Sequence, residues 1–164
     1  MPSENSRYYI TTPIYYVNDV PHIGHAYSTL ACDVAARFMR LDGREVMFLT
    51  GTDEHGQKVA KAAEKAGVDP QSFTDKVSRN FRDLAEVMNY SNDQFIRTTE
   101  PRHIESCQAI WRKMQEAGDI YLDSYAGWYA VRDEAFYDEK ELTRNDAGKP
   151  VSYTHLTLPT IYSV

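Results

Sequence analysis

Cysteine is almost missing from this sequence: only Cys32 and Cys107 occur, far apart and in no metal-ligand spacing. That excludes the disulfide framework of a small secreted domain and fits a reducing cytoplasm. Positive charge is in deficit too, with 18 Lys and Arg against 24 Asp and Glu, a formal net charge of −6. Neutralising phosphates needs clustered basic side chains, so nucleic-acid binding by bulk electrostatics is excluded and any RNA contact must be local or lie elsewhere. Long apolar runs are lacking as well. No stretch approaches the roughly 18 residues that cross a bilayer, and Met1 to Arg7 is polar, so the expectation is an untargeted cytoplasmic protein without membrane contact. No repeat or low-complexity segment breaks the chain.

What is present is a globular composition, 42% hydrophobic and 26% charged, enough for one modest core with a second domain begun. Tyr8 to Tyr16 is rich in Tyr, Ile and Thr and predicts a strand that ends at Asn18-Asp19 before Pro21. From Ala26 to Leu41, apolar residues at Leu30, Val34, Phe38 and Leu41 predict a helix that buries that face and stops at Gly43. Glu45 to Thr50 is continuously apolar at its centre, as in a strand covered on both faces, and completes a βαβ unit. A turn from Gly51 to Gly56 follows, then helices over Gln57 to Ala66 and Gln71 to Met88, the second opened by Asp69-Pro70. Gln94 to Thr98 predicts a further strand, and Thr99 a cap for a helix from Arg102 to Ala117. Dense aromatics between Ile120 and Tyr137 predict antiparallel strands, with a domain boundary near Asp119, and Thr143 to Pro150 reads as an exposed loop.

The chemistry-bearing motif is His22-Ile23-Gly24-His25, between the first strand and its helix. Two imidazoles three residues apart at a helix start can both face a phosphate, where free amides and the helix dipole add positive potential. Gly24 lacks a Cβ, which lets a nucleobase or ribose approach the backbone. Taken alone, His-x-x-His is equally a pair of surface histidines around a cap. A zinc pair would want the i, i+4 spacing and a third ligand. Asp53, after a buried strand and between Gly51 and Gly56, stands where α/β sheets place ligand groups, although an ordinary loop aspartate would look the same. By spacing alone Ile14 and Tyr16 are same-face strand residues better assigned to core packing. His55 is open between a structural role, support of Asp53 and a face toward nucleotide. Asn18 and Asp19 are expected to shape the preceding loop by turn hydrogen bonds.

Three motifs in order, Thr11-Thr12-Pro13-Ile14-Tyr15-Tyr16-Val17-Asn18, His22-Ile23-Gly24-His25 and Gly51-Thr52-Asp53-Glu54-His55-Gly56-Gln57-Lys58, resemble the bacterial-type methionyl-tRNA synthetases, class I aminoacyl-tRNA synthetases. Phe95 to Thr99, His103, and Gly118 to Tyr129 extend the resemblance over Arg7 to Pro150. It implies the N-terminal half of a doubly wound parallel nucleotide-binding, Rossmann-like fold over residues 1–118, then the start of an inserted connective domain over residues 119–150. It implies ATP as substrate, with Mg²⁺ neutralising pyrophosphate, and methionine and tRNA as partners. His22, Gly24 and His25 would contact ATP, the histidines as catalytic groups. Pro13, Ile14, Tyr16 and Asp53 would bind methionine, Asp53 through the α-amino group. The alternatives are another nucleotidyl transferase with the same histidine motif, or a non-catalytic nucleotide-binding module.

The pattern also departs from the family. Where many relatives carry Cys-x-x-Cys pairs of a zinc knuckle, this chain has Val131-Arg132-Asp133-Glu134, so zinc is not expected and no metal site is assigned. Asp133, Glu134 and Asp138 read as a solvated acidic edge rather than a hard-metal cluster. The second half of the nucleotide fold, its Lys-Met-Ser-Lys-Ser loop and an anticodon-binding domain have no counterpart, so the expectation is an N-terminal fragment, inactive alone. Val151 to Thr160 resembles a translated sequencing-library adapter, so residues 151–164 are expected to be non-native and His155 has no role. Recovering the genomic locus checks this: the expected result is a longer open frame that diverges after Pro150, whereas a stop codon after Val164 would refute it.

Overall fold

The computed structural model describes residues 6–130, 133–146 and 148–152. The chain divides into two compact units, Met1–Ala117 and Gly118–Val164. In the first, strands β1 (Arg7–Thr11) and β2 (Tyr15–Tyr16) run along one edge of β3 (Glu45–Asp53), and β4 (Gln94–Arg97) runs along the other, all parallel. Helix α1 (Ile23–Leu41) joins β2 to β3, α2 (Gln57–Ala66) and α3 (Pro70–Val87) join β3 to β4, and α4 (Pro101–Ala117) follows. Parallel strands need such crossovers, and the result is the expected Rossmann-like α/β arrangement. Tyr15, Val17, Val59, Val77 and Phe81 form its core, flanked by Phe73 and Phe95.

The single strand expected from Tyr8 to Tyr16 is two. Thr11 lies opposite Leu49 but Tyr15 lies opposite Thr52, so the edge gains one residue on β3 between the two registers. Pro13 has no N–H for a ladder bond, and the chain bulges there. Thr12 holds the bulge to β3 through its N–H on the Leu49 carbonyl, 3.1 Å, and its hydroxyl against that of Thr50, 2.8 Å. β3 is longer than predicted, because Gly51, Thr52 and Asp53, expected as a turn, still pair with β2 and β4. A Cβ on Gly51 would lie 2.1 Å from the Ile96 carbonyl oxygen, so only glycine lets β4 approach here.

Helix α1 reverses the expectation about its buried face. Leu30, Val34, Phe38 and Leu41 are exposed, Leu41 to 88%, while Thr29, Asp33 and Ala36 are buried. The inward stripe is polar because it meets the polar segment before β4. Asp33 Oδ1 accepts both the N–H and the hydroxyl of Ser91 at 2.6 Å, and Asp33 Oδ2 pairs with Arg37 at 2.7 Å. Arg40 donates to the Ser91 hydroxyl and to Asp93, each at 2.7 Å, and Asp93 accepts the N–H of Phe48 on β3. Tyr90 donates to the Ala26 carbonyl at 2.7 Å. A periodicity count sees apolar spacing, not this set of polar partners.

Asp69 caps α3 by accepting the Ser72 N–H at 3.0 Å, and Gly67 ends α2 in the left-handed region, φ 70°, both as expected. Thr99 does not cap α4; its hydroxyl donates to Glu54 instead, and the helix opens at Pro101.

In the second unit β5 (Trp128–Ala130) pairs antiparallel with β6 (Ala135–Tyr137), and Phe136 packs against Tyr125 and Tyr129. β7 (Leu142–Arg144) pairs with β8 (Pro150–Ser152), so the exposed loop expected from Thr143 to Pro150 is a hairpin. The Asn145 carboxamide accepts the Lys149 N–H at 3.0 Å and Gly148 supplies a φ of 73°, the two devices a tight return needs. Asp138 caps the 3-10 turn Glu139–Glu141, and Asp133 accepts from the Tyr137 hydroxyl. Val131, Arg132 and the segment from residue 153 on, with His155 and most of the expected non-native tail, lie outside the described residues. Among the described residues no helix is long and apolar enough to cross a membrane.

The reversed face of α1 is measurable by urea denaturation of this chain. Asp33→Ala, which strands the Ser91 N–H and Arg37, is expected to cost about 2–3 kcal/mol, and Val34→Lys to stay within about 0.5 kcal/mol. The opposite ranking would restore the apolar stripe as the buried face.

Candidate active site

The first turn of α1 is built by its own histidines. His22 is the N-cap, extended at φ −124°, and its Nδ1 accepts the Gly24 N–H at 3.1 Å. The His22 N–H in turn donates to Nδ1 of His25 at 3.1 Å, so the two side chains close a capping box usually made by Ser or Thr with Glu. The rings stack with centroids 3.8 Å apart. A Cβ on Gly24 would sit 2.9 Å from His22 Cε1, so glycine leaves room for the capping imidazole as well as for any ligand.

An imidazole that accepts at Nδ1 carries its proton on Nε2. In this arrangement Nδ1 of each ring is engaged as an acceptor, and Nε2 is the remaining polar edge. His25 is wedged edge-on against Tyr15 at 4.7 Å and Phe81 at 5.1 Å. Burial, and secondarily its proximity to His22, push its pKa below the ordinary imidazole value.

Tyr15 links these histidines to the strand ends. Its hydroxyl meets Thr29 of α1 at 3.0 Å, and its backbone pairs with Thr52. On either side of it Ile14 and Tyr16 are exposed, as is Pro13, so the core role that spacing alone assigned to Ile14 and Tyr16 belongs to Tyr15. Tyr16 lies opposite Asp53 in register, and the Lys58 ammonium lies 5.3 Å from its ring centroid. Asp53 is half-buried, and among the described residues nothing is hydrogen-bonded to its carboxylate. Tyr16 and Asp53 are the last residues of β2 and β3, at the carboxyl ends where open α/β sheets bind ligands, while Pro13 and Ile14 lie in the connection between β1 and β2. A cavity of about 570 Å³ beside Asn18 and Asp19, lined by Lys65, Phe73 and Lys76, includes none of them and neither histidine.

His55 Nε2 is 3.3 Å from the Thr98 carbonyl, at the end of β4, and Asp19 accepts the Val20 N–H at 2.7 Å, shaping the loop as expected. Sequence reasoning missed the carboxylate behind Asp53. Glu54 is buried and bound to Arg97, Thr52 and Thr99. Its signal was a glutamate two residues beyond an inward Thr52, a placement that demands a cationic partner. Among the described residues no group of three or more His, Cys, Asp or Glu side chains could hold a metal ion.

The first unit is thus a Rossmann-like α/β domain with paired imidazoles at its first helix and a carboxylate at the next strand end. The chain belongs to the class I tRNA synthetases: the family model described as tRNA synthetases class I (M) matches residues 8–146. Among curated relatives, a methionine–tRNA ligase of Rickettsia bellii is 67% identical over 139 residues, 85% of this chain and 27% of the relative. One from Mesorhizobium japonicum is 58% identical over 142 residues, 87% of this chain and 28% of the relative. The crystal structure of Mycobacterium tuberculosis methionyl-tRNA synthetase bound by methionyl-adenylate superposes with a TM-score of 0.84 at 51% identity, covering 89% of this chain and 29% of that one. The chain thus spans under a third of the length of the relatives it matches.

The lowered His25 pKa makes a pH prediction. Below about 6.5 the unfolded chain takes up a proton that folded His25 resists, so the stability present above that value is lost as pH falls through the lowered folded value. Melting temperatures from pH 8 to pH 5 are expected to drop over that window, less steeply in His25→Ala. Equal slopes in both proteins would remove His25 from the account.

Proposed function

We propose that this chain carries the N-terminal part of the amino-acid-activating site of a methionine–tRNA ligase. The observation that carries the reading is the pair of stacked imidazoles at the start of α1, each with Nδ1 engaged as an acceptor so that Nε2 is left for a ligand, beside Tyr15 and the strand ends that bear Asp53. In the proposed reaction a methionine carboxylate oxygen attacks the α-phosphorus of ATP. A P–O bond forms, the bond to the bridging oxygen breaks, and pyrophosphate leaves with its electron pair. Later a hydroxyl of the tRNA's terminal ribose attacks the acyl carbon and gives up its proton, the acyl–oxygen bond to the phosphate breaks, and AMP departs with that electron pair.

His22 and His25 would donate to phosphate oxygens as negative charge shifts toward pyrophosphate. Fixed donors of this kind act by favouring the transition state over the ground state. Asp53 would hold the α-ammonium group in a charge-assisted hydrogen bond. Pro13 and Ile14 would border the side chain, with the Tyr16 ring offering an edge to the thioether sulfur. Gly24 would let the nucleotide approach α1 closely. Mg²⁺ would arrive bound to the ATP phosphates and offset their charge. A cytoplasmic setting fits two free cysteines and a tRNA partner.

Support comes from the family match, the naming of the relatives and the adenylate in a superposable structure. The test is methionine-dependent ATP–pyrophosphate exchange by the product of the complete reading frame that contains this sequence. His25→Ala is expected to lower kcat by about 10²–10³, the scale of a lost transition-state donor. Exchange driven by a different amino acid, or His25→Ala at wild-type rate, would overturn the reading.

A further inference from the structure

The most completely satisfied polar group among the described residues is one that the proposed chemistry does not touch. The carboxylate of Glu54, one residue past β3, is 0% exposed. Its Oε1 accepts from Thr52 Oγ1 and Arg97 Nε, both at 2.7 Å. Its Oε2 accepts from Arg97 Nη2 at 2.8 Å and Thr99 Oγ1 at 2.5 Å. Arg97 Nη2 continues to Asp75 on α3 at 2.5 Å, and the Glu54 N–H donates to Thr98 Oγ1 at 2.9 Å. One carboxylate therefore ties the ends of β3 and β4, and through Arg97 helix α3, into a single unit.

A pair buried this deeply contributes little net stability, because desolvating two charges offsets most of their attraction. Burial alone would raise the Glu54 pKa, yet the hydrogen bonds from Arg97, Thr99 and Thr52 and the Arg97 charge outweigh it and hold the carboxyl below the usual range. The group is an anion with no free lone-pair direction, so it cannot bind a substrate. What it does is fix the peptide on which Asp53 sits. Thr52 and Glu54 both turn inward, Asp53 between them turns the other way, and Tyr16 holds the Asp53 backbone from the opposite edge. Arg97 also pairs with Glu54, so that carboxylate is engaged within the protein and, among the described residues, no hydrogen bond occupies the Asp53 carboxylate.

We propose that Glu54, clamped by Arg97, is a positioning residue that aims the Asp53 carboxylate at the α-amino group of the amino-acid substrate. The inference rests on the reading of Asp53 given above, and it goes further by making amine recognition depend on a buried ion pair that never meets the ligand.

The test uses the product of the complete reading frame, with exchange rates measured against methionine and against ATP for wild type, Asp53→Asn, Glu54→Gln and Arg97→Lys. Glu54→Gln is expected to raise KM for methionine about ten- to a hundredfold, the scale of a misaligned binding group, with KM for ATP within about twofold. Inhibition by 4-(methylthio)butanoate, methionine without its amino group, should be unchanged in Glu54→Gln, since it makes no contact with Asp53. Parallel rises in both KM values, or equal losses for methionine and the amine-free analogue, would make Glu54 merely structural and overturn the inference. Should Glu54→Gln fail to fold, Thr99→Val, which removes one of four donors, is expected to give the same methionine-only shift at smaller size, and wild-type values there overturn it equally. Wild type without methionine-dependent exchange, or Asp53→Asn at wild-type KM, would instead sink the functional reading and this inference with it.

Discussion

Strand β3 is paired on both edges, and the first unit is organised by what its two ends require. At its carboxyl end lies a buried carboxylate that would be intolerable alone: an isolated ionised group in a protein interior costs several kcal/mol or more, and removing one partner of such a pair typically costs about 3–5 kcal/mol. Arg97, Thr52 and Thr99 meet that requirement together. The register of β4 on β3, the glycine at position 51 and the approach of α3 all follow from placing Arg97 within reach of Glu54. A single polar constraint thereby sets the geometry of the strand ends that carry Asp53 and Tyr16.

Nearer its other end β3 is held by a second polar system. The 89–93 segment binds α1 through Asp33, Arg37 and Arg40 and binds β3 through Asp93 and the Phe48 amide. The left-handed Asn89, φ 52°, turns its carbonyl to Arg37. Polar contacts of this kind are directional, so they fix the rotation of α1 about its own axis in a way that an apolar stripe would not. That rotation matters for the histidines, because a helix that rolled on the sheet would carry His25 away from Tyr15.

The order of strands and helices was legible because it rests on local signals: Gly67 after α2, Asp69-Pro70 before α3, continuous apolar residues in β3. The His22-to-His25 motif stood out only through the resemblance, since spacing alone reads equally as histidines around a helix cap, a role they do fill here. What failed did so where a partner distant in sequence decides. Leu30, Val34, Phe38 and Leu41 have helical spacing, yet the stripe beside them is buried, since only Ser91, Asp93 and Asn89 can satisfy Asp33, Arg37 and Arg40. Thr99 has the composition of a cap but is claimed by a carboxylate 45 positions earlier. Pro13 announced a break that the β-rich composition around it concealed. In each case propensity named the residue's capability and tertiary pairing chose among its uses.

The two polar systems and the histidine cap share one logic. Each uses a group capable of chemistry, a carboxylate, a guanidinium or an imidazole, to satisfy backbone or side-chain donors that would otherwise be stranded. For His22 and His25 this has a chemical consequence, since the same hydrogen bonds that start α1 commit Nδ1 as an acceptor and leave Nε2–H as a donor. Protonating either ring would turn its Nδ1 into a donor facing another donor, which unmakes the cap as it charges the ring. Helix initiation and donor character are therefore one property of the four residues His22 to His25, and a substitution that preserves one without the other, such as asparagine for capping, would separate the fold from the chemistry.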